Sequence, residues 1–205
     1  MGTDILLVRH GQTEWNRVMR FRGRTDLGLD QVGWTQARAL ARRLANWPIK
    51  AIYTSPLRRA RQTAEPLARQ LGLSIQPTEG LLDIDYGRWQ GRTPEEVAQA
   101  EPRLYQLWLE EPQRVQIPGG ESLSLVQQRV RLTMEEVVAC HPDEMVLLIG
   151  HQVVNKVLIC SLLGLDLASF WRIGQDTACL NRFRYHDGLY DVLLLNDTCH
   201  LAGLA

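Results

Sequence analysis

Apolar positions along the chain repeat with two different periods. Short, nearly unbroken apolar runs predict strands at Asp4–Arg9, Ala51–Thr54, Leu73–Pro77 and Met145–Ile149. Runs of this kind suit strands buried on both faces of a parallel sheet. Between them the apolar residues return at helical spacing. Asp30 opens one such pattern, with Val32, Ala37, Leu40, Ala41 and Leu44 on one face and Pro48 beyond its end. Ser55-Pro56 reads as a helix start, Ser as cap and Pro as first helical residue. The helix from Leu57 then carries Ala60, Ala64, Leu67, Ala68 and Leu71 and stops at Gly72. Glu121-Ser122 starts another, with Leu125, Val126, Val130, Met134, Val137 and Val138 on its apolar face, and Val153–Leu163 follows, ended by Gly164. Residues 178–186 and 189–196 form a hairpin about Asp187-Gly188.

The stretch 80–120 breaks the rhythm. It holds Tyr86, Trp89, Tyr105 and Trp108 among Pro and Gly, with short helices expected at Pro94–Glu101 and Arg103–Glu110. Long irregular insertions are often functional lids, and this one is expected to be lid-like. Strands alternating with helices predict an α/β fold, a three-layer α/β/α sandwich with a largely parallel central sheet and an antiparallel edge. With 205 residues, one domain spanning 1–205 is expected.

Composition narrows the function. The formal net charge is zero, with 23 basic and 23 acidic residues, so bulk charge gives no reason to expect nucleic acid or a membrane surface as partner. No apolar stretch approaches the roughly 20 residues of a membrane span, and the first residues lack a signal-peptide pattern. Cys140, Cys160, Cys179 and Cys199 occur singly, which argues against a zinc site or a disulfide framework and for the cytoplasm.

Chemistry gathers at three strand-to-helix junctions. The first presents Arg9-His10, the second Arg58, Arg59 and Arg61, the third Gly150-His151. In a parallel sheet all three fall on one edge, where ligands bind and helix N-termini add N–H donors. Cations and imidazoles converging there suit a dianionic phosphoryl group. Taken singly, each junction has a plain structural explanation; their joint placement is the signal.

The segment Leu7-Val8-Arg9-His10-Gly11-Gln12-Thr13-Glu14-Trp15-Asn16 resembles the signature of the histidine phosphatase superfamily, also called phosphoglycerate mutase-like. Phe21–Asp26, Thr54–Ala64, Asp83–Gly91, Pro118–Ser122 and Gly150-His151 resemble its further motifs, in the family's order. The resemblance implies a phosphoglycerate mutase-like fold. It implies that His10 is the nucleophile, forming a phosphohistidine, and that Arg9, Arg59 and His151 bind the phosphoryl oxygens. Asn16 would donate a further hydrogen bond, with Gly23 in the second motif. It implies no metal and no cofactor.

Departures from the family pattern matter. Asp83 stands where relatives usually have Glu as the acid/base, one methylene longer, and Asp85 is an alternative acid. Arg22 replaces a common Gln, which is either a solvent-facing residue or a cation for an additional acidic group on the substrate. Three activities compete: a phosphatase for a small phosphorylated metabolite, a phosphoglycerate mutase, and a non-catalytic binding module. The complete set of His10, Arg9, Arg59 and His151 argues against the last. The segment between Gly91 and Pro118 is short and largely acidic, unlike the longer basic insertion of mutases, which favours the phosphatase. Leu162–Trp171 and Asn196–Leu201 look most like metal-independent phosphoserine phosphatases, so phosphoserine is the expected substrate and His200 is expected to meet its amino or carboxylate group. Phosphatases for α-ribazole phosphate or a sugar phosphate are the alternatives. The exposed edge hairpin suits a homodimer.

Overall fold

The computed structural model describes residues 2–204. Strand β1 (Thr3–Arg9) leads through a one-turn helix α1 (Glu14–Arg17) to α2 (Gln31–Leu44), which Asp30 caps by accepting from the Gly33 N–H at 2.8 Å. Then come β2 (Ile49–Thr54), α3 (Arg58–Leu71), β3 (Ile75–Pro77), α4 (Pro94–Ala100) and α5 (Pro102–Glu110). The chain continues through α6 (Leu123–Cys140), β4 (Met145–Gly150) and α7 (Gln152–Leu162) and ends in the hairpin β5 (Leu180–His186) and β6 (Leu189–Asp197).

The sheet runs β3-β2-β4-β1-β5-β6. Its first four strands are parallel, while β5 pairs antiparallel with β1 and β6 antiparallel with β5. Side chains alternate across it, as the period of a strand requires. Leu6, Val8, Ile52, Leu147 and Ile149 pack on α2 and α3, whereas Ile5, Leu7, Val146 and Leu148 pack on α6 and α7. This is the three-layer α/β/α sandwich with an antiparallel edge that the periodicity predicts. Register does the positioning: Val8 and Thr54 both stand opposite Ile149, and Arg9 opposite Gly150. The three strands therefore end level, and their junctions meet at one edge.

Several expectations need correction. Ser55-Pro56 does not open α3. The Ser55 N–H still pairs with the Ile149 carbonyl at 2.9 Å, as an extension of the sheet. The chain can turn only afterwards, so Leu57 is the N-cap and Arg58 the first helical residue. Val32 and Leu125 lie near the starts of α2 and α6 and face solvent rather than the core. The stretch 80–120 is anchored in the core. Trp89, Val97 and Trp108 are buried in the same cluster as α6 and α7, and burying two Trp side chains is worth several kcal/mol.

Helix α2 lies directly against the loop that follows His10. A Cβ on Gly33 would come within 2.1 Å of the Gln12 carbonyl oxygen, and one on Gly11 within 2.8 Å of the Gly33 carbonyl oxygen. Inside a helix, Gly→Ala normally stabilises by about 1 kcal/mol. Gly33→Ala is expected to do the opposite, lowering Tm and turnover together because the methyl must displace the Gln12 backbone. Unchanged Tm and activity would show that α2 does not brace the loop.

Candidate active site

His10 follows β1, Arg59 lies in the first turn of α3, and His151 is the N-cap of α7. Asp83 arrives from the segment after β3. All four are buried, and the two imidazole centroids are 5.1 Å apart.

Hydrogen bonds fix the tautomer of each ring. Nδ1 of His10 is 2.6 Å from the Gly11 carbonyl, which can only accept. Nδ1 thus carries the proton, and Nε2, which has no partner among the described residues, keeps its lone pair free. His151 has the opposite tautomer. Its Nδ1 accepts from the Arg59 Nε–H at 3.1 Å, so the unpartnered Nε2 bears hydrogen. One ring presents a nucleophilic nitrogen and the other a donor. Burial, then the Arg59, Arg9 and Arg22 charges, hold His10 well below an ordinary imidazole pKa. Burial and Arg59 do the same for His151. Both rings are neutral near pH 7.

Arg59 is a hub. Its Nη1 donates to the Thr25 carbonyl and its Nη2 to the Gly23 carbonyl, each at 2.8 Å, and Nη2 lies 3.5 Å from an Asp83 carboxylate oxygen. That oxygen is also 4.0 Å from His151 Nδ1. Burial raises the Asp83 pKa above the ordinary carboxylate value against the pull of Arg59 and Arg22. Asp85 does different work. It accepts from the Gly87 N–H at 2.8 Å and faces Arg24, so it shapes the turn.

Beside these groups opens a cavity of about 290 Å³. Arg9, Asn16, Arg22, Asp83, Tyr86 and Gln152 line it, and Phe21, Tyr105, Trp108 and Trp171 form aromatic walls. Asn16 reaches it with its side-chain oxygen held by Thr13. Gly23 does not face it. Its carbonyl is spent on Arg59, at a positive φ of 48°, so its contribution is to orient the guanidinium. His200 is not there either. Its Nε2 lies 3.1 Å from the Ala178 carbonyl and its Nδ1 3.4 Å from Arg43. The ion pair between Asp197 and Arg43 hooks the tail onto α2 and keeps His200 out of the cavity. Arg58 and Arg61 point to solvent.

Sequence reasoning missed Gln152, Arg20 and Thr63. The Thr63 hydroxyl receives the Gly11 N–H at 3.0 Å and so fixes the loop after His10. A threonine one turn beyond Arg59, on the buried face of α3, was the available signal.

The histidine phosphatase superfamily (branch 1) profile matches residues 5–198. The chain belongs to this superfamily. It is 38% identical over 197 residues to phosphoserine phosphatase 1 of Hydrogenobacter thermophilus, covering 96% of this chain and 93% of the relative. The solved structure of Bacillus stearothermophilus YhfR superposes with a TM-score of 0.93 at 30% identity, over 97% of this chain and 99% of that one. A phosphoserine phosphatase mutant from Entamoeba histolytica, solved with phosphoserine, superposes with a TM-score of 0.89 at 26% identity, over 97% and 99% of the two chains. The chain is a phosphatase of this superfamily.

The shifts set a pH dependence. Lowered imidazole pKa values keep both rings neutral below 6.5, where a free histidine would protonate. A protonated Asp83 acid is lost as pH rises through its raised pKa. The kcat profile is expected to show no imidazole inflection at 6.5 and to decline, on its alkaline limb, as pH rises through the Asp83 pKa, wherever above the ordinary carboxylate value burial has placed it. In Asp83→Asn that decline should vanish from a lower kcat. Survival of the alkaline limb in the variant would assign it to another group.

Proposed function

We propose that the chain hydrolyses phosphoserine through a phosphohistidine on Nε2 of His10. One observation carries the mechanism: an unprotonated, unpartnered nitrogen among Arg9, Arg59 and the Nε2–H of His151. His10 Nε2 attacks phosphorus, the ester P–O bond breaks, and Asp83 gives its proton to the departing alkoxide. Water then attacks the phosphohistidine, Asp83 takes its proton, and inorganic phosphate leaves with the P–N bond broken. Arg9, Arg59 and His151 neutralise charge on the phosphoryl oxygens throughout, which is where positioned donors act in phosphoryl transfer. Asn16 adds a donor.

Phosphoserine is supported by the likeness to the phosphoserine phosphatases and by Arg22 beside the cavity, whose Nε has no partner among the described residues and suits a carboxylate. His200, held at Ala178, takes no part in this reading. A phosphatase for α-ribazole phosphate or a sugar phosphate is the second reading. It is favoured by Tyr86, Tyr105, Trp108 and Trp171, since aromatic walls suit a ring. A mutase is disfavoured by the acidic segment after Gly91.

His10→Ala is expected to abolish turnover and any acid-labile phosphoenzyme, and retained turnover would refute the mechanism. A panel of phosphomonoesters with chelator present ranks the substrates. Phosphoserine is expected to have the highest kcat/KM and 3-phosphoglycerate to release phosphate without isomerising. A higher value for a ring-bearing ester would establish the second reading.

The proposal includes the cytoplasm as location and a homodimer as assembly. Strand β6 is an unpaired sheet edge with Val192, Leu193 and Leu195 exposed, an arrangement that invites strand pairing with a second copy. Sedimentation is expected to give a dimer that Leu193→Lys splits, and a monomeric parent would refute this.

A further inference from the structure

Arg9 differs from Arg59 in how it is held. Among the described residues it makes no ion pair. Its Nη1 donates to a main-chain carbonyl, that of Gln175, at 2.5 Å, and its Nε has no partner. Burial and Arg22 together draw its pKa down to about 10. An arginine side chain has about 2 kcal/mol of rotamer entropy to lose. A single carbonyl on an irregular segment would restrain it poorly unless that carbonyl is itself immobile.

The surroundings of Gln175 supply the immobility. Its side-chain amide is buried and pairs reciprocally with the amide of Asn181 on β5. Nε2 of Gln175 donates to Oδ1 of Asn181 at 2.7 Å, and Nδ2 of Asn181 donates back to Oε1 of Gln175 at 3.0 Å. Each amide has further partners. Asn181 Nδ2 donates to the Leu7 carbonyl of β1 at 2.8 Å, and its Oδ1 receives the Asn196 N–H of β6 at 2.8 Å. Gln175 Oε1 also lies 3.4 Å from Nδ2 of Asn155 on α7 and accepts the Cys179 thiol. The next residue, Asp176, is clasped by Asn196, which accepts its N–H at 2.7 Å and donates to its carboxylate at 2.8 Å. The carbonyl that holds Arg9 is thus tied to β1, β5, β6 and α7. A buried polar network of this kind specifies one arrangement when its members are satisfied.

We propose that Gln175 and Asn181 are positioning residues for the phosphatase reaction: their amide pair fixes the Gln175 carbonyl and through it aims the Arg9 guanidinium at the phosphoryl group. The proposal rests on Arg9 being a phosphoryl ligand, as argued above. Neither amide touches substrate. Displacing a catalytic group by about 1 Å can cost as much as 10²-fold in rate.

The test is a double-mutant cycle on the full chain, with Gln175→Met, Arg9→Met and the pair. Turnover of an aryl phosphate and the Kd for inorganic phosphate are measured in each, and Tm is the fold control. Gln175→Met is expected to lower kcat/KM about 10- to 100-fold and to weaken phosphate binding. In the Arg9→Met background it should change phosphate affinity little further, because the group it positions is gone. A purely structural role would add the same penalty in both backgrounds. That result, or wild-type kinetics in Gln175→Met while Arg9→Met is impaired, overturns the proposal. Wild-type phosphate affinity and turnover in Arg9→Met would instead overturn the reading of Arg9 beneath it. Should Gln175→Met fail to fold, Gln175→Glu keeps one half of the amide pair and enters the same cycle, with a smaller loss expected that again disappears without Arg9.

Discussion

The buried guanidinium of Arg59 is the point on which the site depends. An arginine carries five N–H donors and cannot shed its charge at physiological pH, so removing it from water is tolerated only when those donors find acceptors. Here the acceptors come from separate parts of the chain: the carbonyls of Gly23 and Thr25, the ring nitrogen of His151 and the carboxylate of Asp83. The cation therefore assembles the 23–25 loop, the segment after β3 and the start of α7 around the first turn of α3. Losing any one partner would leave an unsatisfied donor in a dry interior.

That assembly also sets the chemistry. Burial opposes a positive charge on either imidazole, and the neighbouring arginine opposes it further, so both histidines stay neutral. Which nitrogen is free then follows from what each ring faces. Gly11 offers His10 a carbonyl and Arg59 offers His151 an N–H, which gives two identical side chains opposite roles. Asp83 stands between the opposing influences. Burial raises its pKa and the arginines lower it, the condition under which one carboxyl can give and then take a proton.

The periphery has a comparable division of labour. Segment 80–120, short of regular structure in its pattern, builds the aromatic side of the cavity from residues rooted in the core. The C-terminal tail turns the other way, to α2, and braces the Ala178 turn whose N–H reaches the His10 carbonyl at 3.2 Å.

Local physics made most of the fold readable. Apolar runs, the Asp30 cap, Gly72 and the Asp187-Gly188 turn specify their elements through contacts within a few residues, and level strand ends then bring Arg9, His10, Arg59 and His151 together. Pattern failed where a long-range bond overrode it. The bond from Ser55 to β4 delays α3 past its Ser-Pro signal, and the Arg43–Asp197 pair sets the tail on α2 with His200 at the Ala178 carbonyl. The tautomers, the role of Gly23 as a brace and the amide pair behind Arg9 were beyond any linear reading. Each depends on which donor meets which acceptor across the fold, and pairings between groups far apart in sequence exist only once the chain has closed around them.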